Sequence, residues 1–407
     1  MFGGTGRRHR SMHSRPEPAA GLPQGRAKPL SARVEFRLGF RCNARCSFCY
    51  YLDHVDDPVE KDPPTGEVLK RLAMIRKLGA SEIEFTGGEP TICKDLPQLI
   101  TAAKGLGFAN VSLITNGIKL ANRAYAEALC SAGANDFLFS IHGATAELHD
   151  EMTKVRGSFD KIVAAVENVR AFGARCRSST TITAQNYRSV AAIFEKLLSL
   201  RMECMHLALF SPVADAKNAE TAVHVGYAEA TRYIKEAIDL YRGRLPPLSV
   251  KYVPFCFMQG YENYVMNVTQ QSFDPDDWNY YFSHKIRRGH TFRGSVVLDA
   301  AALLGALLIR PSTMRGVGWL GAKALGLTKI LQLARTRRVA ACRQCRYDLV
   351  CDHAWKDYLA RFGVDEFRPV PGPKVLDPAW CYDFAGYRRP GYPLAAQPIS
   401  SAGTPKA

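Results

Sequence analysis

The sequence predicts an α/β fold with a parallel sheet, followed by a small cysteine-rich segment near the carboxyl terminus. Between residues 32 and 212, short β-branched runs alternate with amphipathic helical stretches, which is the pattern of repeated strand-helix units. Apolar residues make up 47% of the 407 residues, enough for the cores of one large domain and a smaller one. Cysteines cluster at metal-ligand spacing in two places, 42–49 and 342–351. We therefore expect one large α/β domain, with one metal site near its beginning and another near the end of the chain.

The alternation predicts strands at 34–39, 81–85, 111–115, 136–141, 176–183 and 204–210. Helices are expected at 65–79, 93–106, 120–132, 157–172 and 187–201, with a further one at 226–243. Several of them stop at glycines that suit helix caps: Gly79, Gly107, Gly133 and Gly173. Ligands of parallel α/β folds sit at the carboxyl ends of the strands, so polar residues at those ends are the candidate site residues.

The first candidate site is the run RCNARCSFCY, which follows the first expected strand and holds Cys42, Cys46 and Cys49. Three thiolates on a short loop can hold three irons of a 4Fe-4S cube and leave the fourth iron without a protein ligand. Zinc ribbons instead pair two Cys-x2-Cys knuckles, so a structural zinc site fits this spacing poorly. The triplet predicts an iron-sulfur cluster with an open iron.

The second candidate site is Gly87-Gly88-Glu89, at the carboxyl end of the second expected strand. Two glycines let the backbone approach a ligand closely, and Glu89 offers an acceptor for an ammonium group. Further polar residues end the next strands in the runs LITNG and FSIHG, and Arg177 lies near the start of the fifth strand. We expect His142 to have a positioning or substrate-contact role, and His149 to be a solvated helix residue.

Together, the Cys-x3-Cys-x2-Cys triplet and the Gly-Gly-Glu motif resemble the radical S-adenosylmethionine (radical SAM) superfamily. The resemblance implies a partial (β/α)6 TIM-like barrel. It also implies reductive cleavage of S-adenosylmethionine, whose amino nitrogen and carboxylate oxygen chelate the open iron, to a 5'-deoxyadenosyl radical that abstracts hydrogen from a substrate. Such enzymes need a reductant such as flavodoxin or ferredoxin.

The same resemblance implies cofactor-binding roles for several residues. Phe48 falls where family members pack against the adenine. Thr115, with its neighbour Asn116, and Ser140 fall where they bind the methionine end or the ribose. Arg177 falls where a cation meets the cofactor carboxylate, a task that suits the planar guanidinium fork.

The second cysteine cluster is Cys342, Cys345 and Cys351, which resembles the auxiliary iron-sulfur segment of SPASM and Twitch domains. Trp355 stands where a SPASM pattern would continue with cysteine, so one auxiliary 4Fe-4S cluster of Twitch type is expected. Its fourth ligand is Cys256 by preference, with Cys381 as the alternative, and a substrate could bind the open iron if neither cysteine does. Zinc is the main rival metal. The scattered cysteines Cys93, Cys130, Cys176 and Cys204 are expected to be buried apolar residues.

The formal net charge of +16 raises the question of nucleic-acid or membrane partners. Part of the charge lies in the first thirty residues, and no nucleic-acid motif is present, so nucleic acid is not an expected partner. The apolar run 296–309 is too short for a transmembrane segment. The stretch Trp319 to Leu333 has a weaker case for membrane contact than for a helix packed on the core with snorkelling lysines. Cysteine usage without a secretory signal predicts a reducing cytoplasm.

These observations divide the chain into five predicted segments. They are a disordered basic arm (1–31), the radical SAM partial barrel (32–215), a connecting helical region with the Cys256 segment (216–335), an auxiliary cluster segment (336–385) and a disordered tail (386–407). The expected function is radical modification of a peptide or a small metabolite, in peptide maturation or in natural-product or cofactor biosynthesis. The alternatives are a tRNA-modifying radical SAM enzyme and a non-catalytic iron-sulfur electron-transfer protein.

Overall fold

The structure is a computed structural model that describes residues 30–55, 62–210, 223–279, 281–283, 292–309, 314 and 317–381. Its centre is a parallel sheet of eight strands in which each strand pairs with the next one along the chain, with β1 and β8 at the edges. The strands are β1 (Arg33–Arg37), β2 (Glu82–Thr86), β3 (Asn110–Thr115), β4 (Asp136–Ser140), β5 (Arg175–Ile182), β6 (Cys204–Leu209), β7 (Leu248–Lys251) and β8 (Val265–Met266).

Helices connect these strands and cover one face of the sheet. Through the barrel they are α1 (Leu52–Val55), α2 (Thr65–Lys77), α3 (Leu96–Gly105), α4 (Arg123–Ala132), α5 (Ala146–Thr153), α6 (Ser158–Ala171), α7 (Val190–Ser199), α8 (Tyr227–Leu240) and α9 (Val268–Gln271). The remaining elements are α10 (Phe292–Leu307), α11 (Trp319–Arg335), the antiparallel pair β9 (Thr336–Arg337) and β10 (Ala354–Trp355), and α12 (Lys356–Phe362). None of the helices in these described ranges is long and apolar enough to cross a membrane.

The predicted α/β class and partial TIM-like barrel are confirmed, and all six expected strands are present. The sheet continues beyond them, because β7 and β8 lie within the region expected to be a helical connection. These two strands have four and two residues, too few for a period-two pattern to stand out. The predicted basic arm and tail lie outside the described residues, except for Leu30 and Ser31 at the end of the arm.

The two faces of the sheet differ in polarity because successive strand residues point to opposite sides. Val34 and Phe36 of β1 are buried in the hydrophobic core that also includes Val68 and Leu72 of α2. On the inner face, Arg33 of β1 contacts acidic side chains of other strands. The inner face is therefore polar, and the apolar core lies between sheet and helices.

Four charged residues fill the barrel at the amino-terminal end of the strands. Arg33 lies 3.2 Å from Glu84 and 3.1 Å from Asp136. Arg177 lies 2.7 Å from each of the same two carboxylates. All four side chains are buried, so the two guanidinium groups and the two carboxylates neutralise each other inside the barrel. This ionic layer closes the end of the barrel opposite the candidate site.

Candidate active site

The three predicted cluster cysteines lie on one loop after β1, and each is half-buried. The backbone N–H of Cys49 donates to the carbonyl of Cys46 at 3.0 Å, and the N–H of Ala44 lies 3.4 Å from the Cys42 sulfur. The N–H of Arg45 and of Ser47 donate to carbonyls at the end of α5, at 3.1 and 3.0 Å. The loop is therefore anchored across the carboxyl edge of the sheet and presents its thiols together.

The electrostatics of the loop show that the three thiols are neighbours. Burial and the Glu89 carboxylate raise the pKa of Cys42 to about 11. Burial, and then the proximity of Cys49 and Cys42, raises the pKa of Cys46. Burial also raises the pKa of Cys49, which Arg45 opposes. Thiols lose their protons when they bind a metal as thiolates, and three adjacent thiols beside one arginine fit the donor set of an iron-sulfur cluster.

The Gly-Gly-Glu turn after β2 packs directly on this cysteine loop. The N–H of Gly88 donates to the carbonyl of Gly39 at 2.9 Å, and the N–H of Glu89 donates to that of Arg41 at 2.8 Å. A Cβ on Gly88 would overlap the carbonyl oxygens of Arg41 and Phe40, and Gly87 has a φ of +134°. The glycines therefore let two loops approach backbone to backbone, and the expected close approach of this turn to a ligand stays a prediction.

Glu89 joins the ends of two strands, and its predicted binding of an ammonium group stays a prediction. Its carboxylate is buried and already accepts four hydrogen bonds, from the N–H and hydroxyl of Thr91, the hydroxyl of Thr115 and the N–H of Asn116, at 2.6 to 3.0 Å. The hydroxyl of Thr115 also accepts from the N–H of Gly117 at 3.0 Å. Glu89 and Thr115 thus fix the end of β2 to the end of β3, and the predicted contact of Thr115 with the cofactor stays a prediction.

Asn116 extends this connection to the cysteine loop. Its side-chain amide lies 3.9 Å from the Cys42 sulfur and donates to the Asn43 side chain at 2.7 Å. An amide N–H directed at a thiolate stabilises its negative charge. Asn116 therefore lies beside one of the predicted cluster ligands.

Phe48 and Ser140 remain available at the site. The Phe48 ring packs edge-to-face on His142, with the ring centroids 4.6 Å apart, and belongs to a small apolar cluster with Met152. Ser140 ends β4 and is partly exposed. Nδ1 of His142 lies 3.2 Å from the N–H of Thr181, which leaves the proton on Nε2. Burial lowers the pKa of His142 well below its ordinary value, so this ring is neutral at pH 7, as a positioning role requires.

His149 is buried, and the prediction of a solvated residue is wrong. Nδ1 of His149 accepts from the backbone N–H of His142 at 3.2 Å, and the two rings stack with their centroids 5.8 Å apart. Gly143 makes this possible, because a Cβ there would press on the His149 backbone. The sequence contained a hint in the glycine between the two histidines, since a glycine often marks a close backbone approach.

Arg177 lies away from the site, and its predicted contact with the cofactor carboxylate is corrected here. Its guanidinium is fully buried in the ionic layer and donates to Asp136, Glu84 and the carbonyl of Asp276, at 2.7, 2.7 and 3.0 Å. Arg177 is the third residue of β5, near the amino-terminal end of the strand. Its side chain therefore stabilises the base of the barrel.

The carboxyl-terminal cysteines come together around a second cavity. A cleft is lined by Cys256, Cys342, Cys345 and Cys351, together with Asp348 and His353. Burial, and then the proximity of Cys345 and Cys342, raises the pKa of Cys256 to about 12. Four thiols from two parts of the chain thus face one space, which fits the donor set of an iron-sulfur cluster.

Cys381, the alternative fourth ligand, packs in a different apolar cluster with Phe273 and Leu325. In the ranges that the structure describes, no three His, Cys, Asp or Glu side chains converge closely enough to hold a single metal ion. Two cations lie beside the second cavity. The Arg338 guanidinium donates to the Asp348 carboxylate, and the Lys374 ammonium donates to the Cys345 carbonyl. Among the scattered cysteines, Cys176 and Cys204 are buried as predicted, while Cys93 and Cys130 are only partly buried.

The charged layer inside the barrel was not predicted, although the sequence contains a sign of it. In RVEFR and EIEFT, charged residues alternate with apolar ones on strands that we expected to be covered by helices. Such alternation indicates one polar face of a sheet. Which charges pair depends on the register between strands, which the sequence does not display.

Comparisons with known proteins found one matching family model and several similar proteins. The family model described as the radical SAM superfamily matches residues 36–197. The AdoMet-dependent heme synthase of Oleidesulfovibrio alaskensis is 31% identical over 188 residues, which are 46% of this chain and 48% of that protein. The Fe-coproporphyrin III synthase of Methanosarcina barkeri is 33% identical over 164 residues, which are 40% of each protein. The chain thus spans about half or less of the length of these two relatives.

Among solved structures, Streptococcus suis SuiB bound to S-adenosylmethionine is similar, with a TM-score of 0.47 and 18% identity over 54% of this chain and 50% of that one. Methylornithine synthase has a TM-score of 0.44 and 16% identity over 61% of this chain and 74% of that one.

Proposed function

We propose that the protein is a radical SAM enzyme that cleaves S-adenosylmethionine reductively, and the match of the radical SAM superfamily model to residues 36–197 supports this. The observation that carries the proposal is the contact between the cysteine loop and the Gly-Gly-Glu turn at the carboxyl edge of the sheet. Cys42, Cys46 and Cys49 would hold three irons of a 4Fe-4S cluster. When bound, that cluster supplies the electron that splits the cofactor into methionine and a 5'-deoxyadenosyl radical.

The chain's own residues would hold and shield this centre. Asn116 stabilises the Cys42 thiolate through its amide. Phe48, supported by His142, forms the apolar surface that we assign to the adenine, and Ser140 is the hydroxyl that we assign to the ribose. Gly87 and Gly88 keep the loop in place, and we assign the binding of the cofactor ammonium group to the Glu89 carboxylate, which Thr115 and Asn116 orient. A protein reductant such as flavodoxin or ferredoxin would deliver the electron.

We further propose that the second cavity holds an auxiliary 4Fe-4S cluster on Cys256, Cys342, Cys345 and Cys351. Four cysteines around one cleft support this assignment, and zinc is the competing metal. With four protein ligands, the cluster would serve electron transfer rather than hold a substrate.

The substrate would enter the polar inner side of the barrel. Glu35, Ser179 and Lys251 lie on inner-face positions of β1, β5 and β7, and the Lys251 ammonium pairs with Asp277. Such a lining favours a substrate with polar or charged groups, such as a peptide or a small metabolite.

The test is S-adenosylmethionine cleavage by protein reconstituted anaerobically with iron and sulfide and reduced with dithionite. We expect 5'-deoxyadenosine from the wild type and from Cys130→Ala, a partly buried cysteine of α4 outside both cavities. The triple replacement of Cys42, Cys46 and Cys49 by Ala should abolish product and remove about four irons per chain. Undiminished cleavage by the triple variant would refute the assignment.

A further inference from the structure

Helix α10 exposes an apolar stripe instead of a polar face. From Val296 to Ile309 its one charged residue is Asp299. The exposed residues of this stretch are all apolar, and side chains such as Val297, Leu304 and Leu307 are 65%, 60% and 81% exposed. The whole set, called the α10 stripe below, is Val296, Val297, Ala300, Leu304, Leu307 and Leu308. Helices that are apolar all round are normally covered on all sides, and no residue that the structure describes covers the stripe.

The stripe is continuous along the helix. Val297, Ala300, Leu304 and Leu307 follow one another at intervals of three, four and three residues, which keeps them on one side of an α-helix. On the opposite side, Leu298 and Ala302 are buried against α11. One side of α10 is thus packed on the protein while the other faces outward.

The stripe is held rigidly by α11. A Cβ on Gly305 would overlap the Gly326 carbonyl oxygen, so the two helices cross backbone to backbone. The only acid of α10 is also neutralised: Asp299 lies 3.3 Å from Lys323 and accepts from the Tyr281 hydroxyl at 2.6 Å. Further along α11, the Gln332 side chain donates to the Cys351 carbonyl at 2.6 Å. This packing ties the helix pair to the second cysteine segment and holds the stripe on the outside.

The charge of the sequence segment that contains the helix pair indicates what would cover the stripe. Between Asp277 and Asp348 the sequence has thirteen Lys and Arg residues and a single acid, Asp299. A second copy of the chain would bring the same positive charge, and the two surfaces would repel. A membrane with anionic lipids offers apolar chains for the stripe and negative headgroups for the cations of this segment.

The position of Trp319 also favours a membrane as the partner of the stripe. It begins α11 and is 66% exposed. It lies one turn before Lys323, which contacts Asp299, and so lies toward the end of the pair that has Val296 and Val297. Tryptophan is enriched where proteins meet the interface between lipid headgroups and water, because its ring is apolar and its N–H is polar.

We propose that the α10–α11 helix pair is a membrane-docking surface that lies in the headgroup region of an anionic bilayer, with the α10 stripe against the acyl chains. Helix α10 has 16 residues and is about 24 Å long, shorter than the roughly 30 Å apolar core of a bilayer, so it lies in the plane of the interface. This surface is independent of the proposed S-adenosylmethionine chemistry.

The test is co-flotation of the full-length, reconstituted protein with vesicles of phosphatidylcholine, with and without phosphatidylglycerol. We expect binding to the anionic vesicles that weakens as salt is raised. The double replacement Leu304→Asp with Leu307→Asp should lower the partition coefficient about tenfold or more, because charge on the stripe opposes insertion. Leu240→Asp is the matched control, since Leu240 at the end of α8 is 66% exposed and lies outside the helix pair. It should bind as the wild type does.

Thermal unfolding and iron content of the double variant should equal those of the wild type, because both leucines are exposed. Three results would overturn the proposal: no binding of the wild type to anionic vesicles, equal binding of the double variant, or equal binding to vesicles without phosphatidylglycerol. A dimer in solution that the double variant dissociates, without vesicle binding by the wild type, would instead assign the stripe to a second copy.

Discussion

Glu89 donates its backbone N–H to the carbonyl of Arg41 at 2.8 Å, so the turn after the second strand holds the residue immediately before the first cluster cysteine. The preceding residue, Gly88, has no room for a side chain against the same carbonyl. The position of the cysteine loop thus depends on the turn as much as on its own sequence.

Replacing Gly88 by Ala should displace the cysteine loop. Its Cβ would overlap backbone oxygens, which cannot move aside as a flexible side chain can. We expect loss of iron from the first site and a decrease in 5'-deoxyadenosine formation of about tenfold or more, because small misplacements of reacting groups are costly. Iron analysis and product quantification check this.

The control is Gly66→Ala in α2, where nothing lies within 4 Å of the added methyl group. This change should keep activity and stabilise the helix by up to about 1 kcal/mol. Wild-type activity of Gly88→Ala would show that the two loops separate without consequence.

Replacing Arg177 by Ala should destabilise the fold. The change leaves Asp136 and Glu84 buried with one cation fewer, which costs about 3–5 kcal/mol of the free energy of unfolding. Arg188→Ala is the control, because Arg188 is 69% exposed and its ion pair with Glu229 contributes less than about 1 kcal/mol. Urea unfolding under anaerobic conditions measures both. Unchanged stability with weakened S-adenosylmethionine binding would restore the cofactor role predicted from the sequence.

The pH dependence of stability should report on Asp136. Burial alone would raise the pKa of this carboxyl, but Arg177 and Arg33 outweigh burial and hold its pKa below the ordinary value. A lowered pKa in the folded state means that the stabilisation is present above the unfolded-state pKa of about 4 and is lost as pH falls through the folded-state value.

Asp136→Asn should therefore lower stability at neutral pH and flatten its loss on acidification. Asp160→Asn, at an exposed position of α6, should leave the profile unchanged. Unfolding midpoints measured from neutral to acidic pH give the comparison. If the unfolding midpoint of Asp136→Asn fell as steeply on acidification as that of the wild type, this account would be contradicted.

The metal content of the second cavity should depend on Cys256 and not on Cys381. The wild type should contain about eight irons per chain, and replacement of Cys342, Cys345 and Cys351 should leave about four. Cys256→Ser should lower the iron content and alter the spectrum of the auxiliary cluster, whereas Cys381→Ser should do neither, because Cys381 packs in a separate apolar cluster. If the wild type contained one zinc and only four irons per chain, the second cavity would be a structural zinc site.

The sequence predicted what depends on local pattern. Six strands emerged from the alternation of β-branched and helical stretches, and the partial barrel followed from resemblance. The roles of Arg177 and Glu89 were beyond local pattern, because they depend on which strands and turns face each other. A buried arginine near a strand's beginning and one near its end look alike until the register is known. His149 shows the same limit, since a helix residue can face either solvent or the barrel.

Cys256 lies just after the seventh barrel strand, whereas the other three cysteines of its cavity follow α11. A cluster held by all four cysteines would tie the two ends of a long chain segment together. The free energy of the metal-sulfur bonds would then offset the entropy lost in closing that segment. Oxygen damage to the cluster would release the segment and open it to proteases. The lifetime of the protein in air would then be set by its metal.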